Sequence, residues 1–180
     1  MCGRYYVDVS NDELSFLSNY GEIEYEQNFN VAPQTKAPCI IDNNLVVANW
    51  GYFPDWLKKQ SNPRPLFNTR HESLLEKKTF TSAFNNSRCL IPITGWYEWK
   101  EEEGVKQPYF FFSNSQKILF AAGLFWNRSS GDIETSIITR EAVTELQTIH
   151  SRSPLLLTPK LKDFWISEAP SEDIYNEILD

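Results

Sequence analysis

The residue with the most distinctive chemistry in this sequence is its second. Once the initiator Met1 is removed, Cys2 carries an α-amine of pKa about 7.7–8.0 and a thiol of pKa about 8.5 on adjacent carbons. An aminothiol of this kind traps aldehydes: the amine condenses to a Schiff base, and sulfur then adds to the imine carbon and closes a five-membered thiazolidine ring. An internal cysteine has no amine to offer, and an N-terminal serine closes a less stable ring. By position alone, a free cysteine is more often a small buried hydrophobe than a reagent.

Two other residues have the right chemistry to assist. Glu98 stands in Trp96-Tyr97-Glu98-Trp99, and desolvation among aromatics raises a carboxyl pKa toward the range where it shuttles protons. The competing reading, an outward-facing glutamate on an alternating strand, is equally compatible with the pattern. His150 falls at or just past a helix end, in Ile149-His150-Ser151-Arg152-Ser153-Pro154; taken alone, a histidine there is more often structural than catalytic. Trp50-Gly51-Tyr52-Phe53-Pro54-Asp55-Trp56 gathers aromatics around one glycine and one proline. Such a cluster is more often core than platform, and its functional alternative is base stacking, worth about 1–3 kcal/mol per base.

The elements that must position these residues are mainly strands. Gly3 to Val9 alternates like a strand and anchors the terminus in the fold, and Ser10-Asn11-Asp12-Glu13 reads as a capping box opening a helix to about Asn19. Asn28 to Pro33 reads as irregular and extended. Ala37 to Ile41 and Leu45 to Trp50 form a hairpin about Asp42-Asn43-Asn44. Phe67 to Arg70 is extended and feeds a helix through about Lys77, with a second short helix over Thr81 to Asn85. Arg88 to Trp99 gives two strands broken at Gly95; Pro108 to Ser113, Ile118 to Trp126 and Ile133 to Thr139 continue the sheet. A helix is expected from Glu141 through Gln147, and a last pair over Pro159 to Ile166, capped by Thr158, and Ser171 to Leu179. The topology reads as mostly antiparallel.

Composition sets the frame. A chain of 180 residues, 41% hydrophobic and 14% aromatic, buries one sizeable core and reads as one domain without linker, repeat or low-complexity tract. Three cysteines, Cys2, Cys39 and Cys89, lack C-x-x-C spacing and fit a reducing compartment, while two distant histidines, His71 and His150, offer no zinc pattern. No basic region precedes an apolar run, and no stretch approaches 18 apolar residues, so a cytoplasmic protein is expected rather than a secreted or membrane one. The net charge of −7 lowers the prior for a nucleic-acid partner. Much of the acid is concentrated in Glu101-Glu102-Glu103 and the run from Glu168 to Asp180, leaving Arg4, Lys58, Lys59, Arg70 and Arg152 to form a local basic face.

Four separated segments then fall together: M-C-G-R at the start, F-N-T-R at 67–70, R-C-L-I-P-x-x-G-W-Y-E-W at 88–99 and I-H-S-R-S-P at 149–154, supported by N-V-A-P at 30–33 and W-G-x-x-P-x-W at 50–56. In order and approximate spacing they resemble the SOS response-associated peptidase (SRAP) family, nearly end to end. The resemblance implies an α+β fold, a single SRAP-like domain over 1–180 with a curved, mainly antiparallel β-sheet core flanked by short helices. It implies a covalent sensor of abasic sites in single-stranded DNA, acting in the DNA damage response as a monomer without cofactor, metal or membrane, and nucleoid-associated or nuclear according to host.

Residue by residue, the resemblance puts thiazolidine formation on Cys2, orientation of the reacting amine on Asn68, acid-base work on Glu98, and assistance to ring opening and Schiff-base chemistry on His150. It puts DNA phosphates on Arg4, Arg70 and Arg152 and an aromatic wall beside the lesion on Trp50 and its neighbours. Ser153 departs from the family, which usually has Met there, so a wedge of that side chain between bases is weakened. The family is also classed as a peptidase and a lyase, although here the only propeptide is Met1. Two rival functions remain: a thiol peptidase with Cys2 as nucleophile and His150 as base, and a noncovalent single-strand-binding module.

Overall fold

The computed structural model describes residues 2–9 and 17–179; the capping box at Ser10 and most of its expected helix lie outside them. Strand β1 (Arg4–Val7) starts where the alternation of Tyr5 and Val7 begins to bury every second side chain. Asn28–Val31, expected as irregular chain, is instead strand β2, paired antiparallel with β1 through Tyr5↔Val31. Tertiary pairing has overridden the turn propensity of its asparagines.

Strands β3 (Lys36–Ile41) and β4 (Asn44–Trp50) form the expected hairpin with a tighter loop, since Ile41 pairs directly with Asn44. The two loop residues, Asp42 and Asn43, have φ of +48° and +59°, the left-handed pair that a type I′ turn requires and that Asp and Asn tolerate best. Helix α1 (Asp55–Lys58) is a single turn, and β5 (Asn68–Arg70) is followed only by a 3₁₀ turn over His71–Ser73. The helix expected up to Lys77 therefore does not form there. The second expected helix, over Thr81 to Asn85, does form, three residues longer at its start, as α2 (Lys78–Asn86), which turns Phe80, Ala83 and Phe84 inward.

Strands β6 (Arg88–Ile93) and β7 (Gly95–Glu102) follow, then β8 (Val105–Phe112), which begins three residues earlier than expected. Glu103 and Gly104 make a second two-residue turn with positive φ values of 51° and 78°, so the acidic run is the tip of a hairpin. Strands β9 (Leu119–Asn127) and β10 (Ile133–Glu141) complete the large elements; Glu141 ends β10, so the next helix, α3, covers only Thr144–Gln147. Short strands β11 (Arg152–Pro154) and β12 (Leu156–Leu157) lead to α4 (Pro159–Trp165), whose N-cap Thr158 accepts from the Leu161 amide as expected, and to α5 (Ser171–Ile178).

Two sheets result. The smaller runs β2-β1-β7-β8; the larger runs β11-β10-β4-β3-β6-β9-β12, with β5 added on β10. Pairing is mostly antiparallel, but β10 lies parallel to both β4 and β5. Because β9 also pairs with β10, strands β10, β4, β3, β6 and β9 close into a ring, the limit of the curvature expected. Both faces of these strands are covered, which explains the unbroken apolar runs of β3 and β6. Ile40, Leu90, Leu124 and Ile138 point outward into a core shared with α2, α4 and α5. Their neighbours Cys39, Cys89, Ala121 and Ile137 point inward and meet Tyr5, Val7 and Trp96 of the smaller sheet.

The interior of a five-strand ring is narrow, and small side chains fill it. A Cβ on Gly123 would lie 2.9 Å from Cys89 Sγ and from Ile91 Cδ1. Cys39 and Cys89 occupy this space as free, buried thiols, with burial pushing Cys39 up to about 12. They are core volume and carry no thiolate at neutral pH. No helix among the described residues is long and apolar enough to cross a membrane.

Candidate functional site

Residues from both sheets and from the segment after α3 are placed around Cys2. In the smaller sheet Arg4 pairs with Tyr97 and Tyr5 with Trp96, so the pleat sends Trp96 and Glu98 inward and Tyr97 and Trp99 outward. Glu98 is accordingly only 2% exposed, and the outward-facing alternative is overturned. Two residues before Arg4, Cys2 is fully buried, its Sγ 3.9 Å from the Arg4 carbonyl oxygen.

Asn68 comes from the larger sheet, where β5 pairs with β10 opposite Ile137. Its Nδ2 donates to the Cys2 carbonyl at 2.7 Å, and its Oδ1 is buried with no hydrogen bond among the described residues. His150 follows α3, its amide donating to Leu146 O at 3.0 Å, and it places Nε2 3.9 Å from Glu98 Oε2. On the other side of the ring, Nδ1 lies 3.0 Å from the Arg152 amide nitrogen and 3.1 Å from the Arg152 carbonyl oxygen. An amide can only donate, so accepting from it leaves the imidazole proton on Nε2, toward Glu98.

Burial tunes each group. It raises the Glu98 carboxyl to about 7, midway between acid and base at neutral pH. It holds His150 below its usual value, so the imidazole is neutral. The Cys2 thiol is pushed well up, first by burial and then by the charge of Glu98.

The four candidate DNA contacts are placed less uniformly. Arg70 is exposed on β5. Arg4 reaches Asn30 Oδ1 at 2.9 Å on the solvent side of the smaller sheet. Arg152 pairs with Glu141 of β10, two residues beyond the Thr139 that pairs with Arg70, and its guanidinium is engaged: Nη1 and Nη2 meet the two carboxylate oxygens of Glu72 at 2.6 and 2.9 Å, and Nη2 also donates to Thr139 O at 2.7 Å. Lys58 is paired with Asp55 at 3.2 Å.

Trp50 does not face solvent. It is 1% exposed, packed edge-on against Tyr5 and Phe67, and its Nε1 donates to Phe67 O at 2.8 Å. The expectation that it walls the lesion is corrected to the core reading: Trp50 fixes the backbone from which Asn68 projects. Ser153 likewise packs inward, at 7% exposure opposite Arg140. Glu72 was not legible as a partner of the site, because nothing local marks a pairing with a residue 80 positions away.

Relatives share this chain almost end to end. Residues 1–179 match the family model described as SOS response associated peptidase (SRAP). The chain is 32% identical over 192 aligned residues to abasic site processing protein YedK of Escherichia coli, covering 99% of this chain and 85% of that protein. It is 30% identical over 192 residues to abasic site processing protein YoqW of Bacillus subtilis, covering 99% and 86%. A solved structure from Bacteroides thetaiotaomicron shares the fold with a TM-score of 0.81 at 23% identity, over 97% of this chain and 86% of that one. The solved structure of a phage-related protein from Bordetella bronchiseptica gives 0.76 at 26% identity, over 99% and 87%. With the sequence match running from the first residue and the strand arrangement shared with solved structures, the chain belongs to the SOS response associated peptidase (SRAP) family.

Proposed function

We propose that this protein captures abasic sites in single-stranded DNA covalently, through the aminothiol of Cys2. The observation that carries the reading is the Asn68 Nδ2 to Cys2 carbonyl hydrogen bond of 2.7 Å beside the Glu98–His150 pair at 3.9 Å: one residue holds the reacting terminus while two supply proton transfer. The names of the E. coli and B. subtilis relatives, abasic site processing proteins, support the substrate.

The ring-opened deoxyribose of an abasic site presents an aldehyde at C1′. The Cys2 amine adds to C1′, and the carbinolamine loses its hydroxyl as water with a proton delivered by Glu98 or His150, leaving an imine. Cys2 sulfur then bonds to C1′ while the thiol proton passes by way of Glu98 to the nitrogen, so one water leaves in all. Glu98, raised to about 7, is suited to give and take that proton near neutrality. A thiol held protonated by burial suits this order of steps, with amine first and sulfur second, better than it suits the thiolate nucleophile of a peptidase.

Intact-mass analysis after incubation with a single-stranded oligonucleotide containing one abasic site tests the reading. An adduct on Cys2 equal to the summed masses less one water is expected. Cys2→Ala abolishes it, and Cys2→Ser leaves an imine trapped by borohydride. A protein retaining Met1 or an N-terminal tag has an amide in place of the amine and forms no adduct until a protease exposes Cys2. Efficient adduct formation by the blocked protein overturns the proposal.

A further inference from the structure

Arg152 and Glu72 make a close, two-point charged contact near the site. Both carboxylate oxygens of Glu72 meet the guanidinium edge, at 2.6 and 2.9 Å, in the paired geometry by which arginine also receives a phosphate. The side chain of Arg152 is largely covered and fixed from behind by Thr139 O, whereas Glu72 is about half exposed. The carboxylate, which also lies 3.1 Å from His71 Nδ1, is therefore the more solvent-exposed partner of the pair. Arg70, the last residue of β5 and two before Glu72 in the following 3₁₀ turn, is exposed and pairs with Thr139, whose carbonyl oxygen accepts from Arg152.

We propose that Glu72 is a specificity-determining residue, a tethered carboxylate that occupies the phosphate position of Arg152 and must be displaced when single-stranded DNA binds. The inference rests on the reading of Arg152 as a DNA contact under the proposed function. Undamaged strands must compete with a carboxylate held at high local concentration, so they bind weakly. A strand carrying an abasic site is retained by its covalent bond to Cys2 and does not depend on that competition. Specificity for the lesion then comes from withholding noncovalent affinity, in keeping with a chain whose net charge is −7.

Fluorescence anisotropy with a labelled, undamaged oligothymidylate tests this without any crosslinking step. Glu72→Gln keeps the shape and removes the charge; it is expected to bind about fivefold tighter at low salt, with a log-log salt slope steeper by about 0.7, the value of one added phosphate contact on a single strand. Both gains should disappear in the Glu72→Gln, Arg152→Ala double variant. Unchanged or weaker binding by a folded Glu72→Gln protein overturns the proposal, as does a gain that survives in the double variant. Should Glu72→Gln fail to fold, the wild-type protein decides: the buried Arg152 Nε–H is expected to shift in nitrogen-edited NMR on titration with the oligothymidylate, and an unmoved signal at saturation overturns the proposal. Failure of Cys2 to crosslink abasic DNA would remove the proposed chemistry while leaving these binding outcomes to be read independently.

Discussion

Asn68 holds Cys2 by its backbone: the 2.7 Å bond from Nδ2 to the Cys2 carbonyl crosses 66 residues of sequence and ties the larger sheet to the first strand of the smaller one. The hydrogen bond grips the carbonyl of Cys2, a group distinct from the amine and thiol that the proposed chemistry uses.

Asn68→Ala should therefore slow single-turnover crosslinking by about 10- to 100-fold through loss of orientation, while lowering stability by only about 1 kcal/mol. Asn68→Asp is expected to do no better, because an ionised carboxylate cannot donate to the Cys2 carbonyl. An Asp variant with the wild-type rate would show that Nδ2 is not what positions the terminus.

Glu98 should give the protein a measurable pH dependence. Its carboxyl rises from the ordinary 4.5 to about 7 on folding, so the folded state favours the protonated form. The corresponding stability is fully present below pH 4.5 and is lost as the pH rises through 7. Glu98→Gln, a permanent mimic of the neutral acid, should melt about 5–10 °C above wild type at pH 8 and converge with it near pH 4. The same substitution should remove the inflection near pH 7 from the crosslinking rate and lower that rate by about 10²- to 10⁴-fold. Melting curves that differ equally at both pH values would exclude a raised carboxyl.

Trp50 is expected to behave as a core residue. Trp50→Phe removes the bond to Phe67 O and part of a buried ring, and should cost about 1–3 kcal/mol of stability by denaturant titration. The salt slope of binding to undamaged single strands should stay at the wild-type value, since no phosphate contact is lost. A weakened affinity with unchanged stability would restore Trp50 to the DNA surface.

Arg88 anchors the helical layer. Its guanidinium donates to Phe84 O at 2.6 Å, Trp165 O at 2.7 Å and Ser167 O at 2.8 Å, joining the C-terminal ends of α2 and α4 to β6. Arg88→Ala should destabilise the protein by about 2–4 kcal/mol. Arg88→Lys should recover little of it, because one ammonium cannot span three carbonyls held in a planar fan. Urea unfolding distinguishes the outcomes, and full recovery by Lys would reduce the role of Arg88 to its charge.

The features legible in the sequence were those written among near neighbours. Asp42-Asn43 carries the left-handed propensity that turns β3 into β4, Thr158-Pro159 carries the start of α4, and the apolar run and Gly95 break within residues 88–99 carry β6 and β7. Cys2 and the family motifs around Asn68, Glu98 and His150 were equally visible, because residue type and spacing state what chemistry is on offer.

Tertiary structure alone decided which way those residues face and what they meet. The pairing of β1 with β7 turned Glu98 inward and gave its carboxyl a value near 7. Closure of β9 on β10 put Trp50 in the core and made small volumes of Cys39 and Cys89. The packing of β11 beside β10 delivered Arg152 to Glu72 across 80 residues. Burial and charge pairing are properties of the folded surroundings, set by contacts between distant segments; local propensity and period carry no record of them.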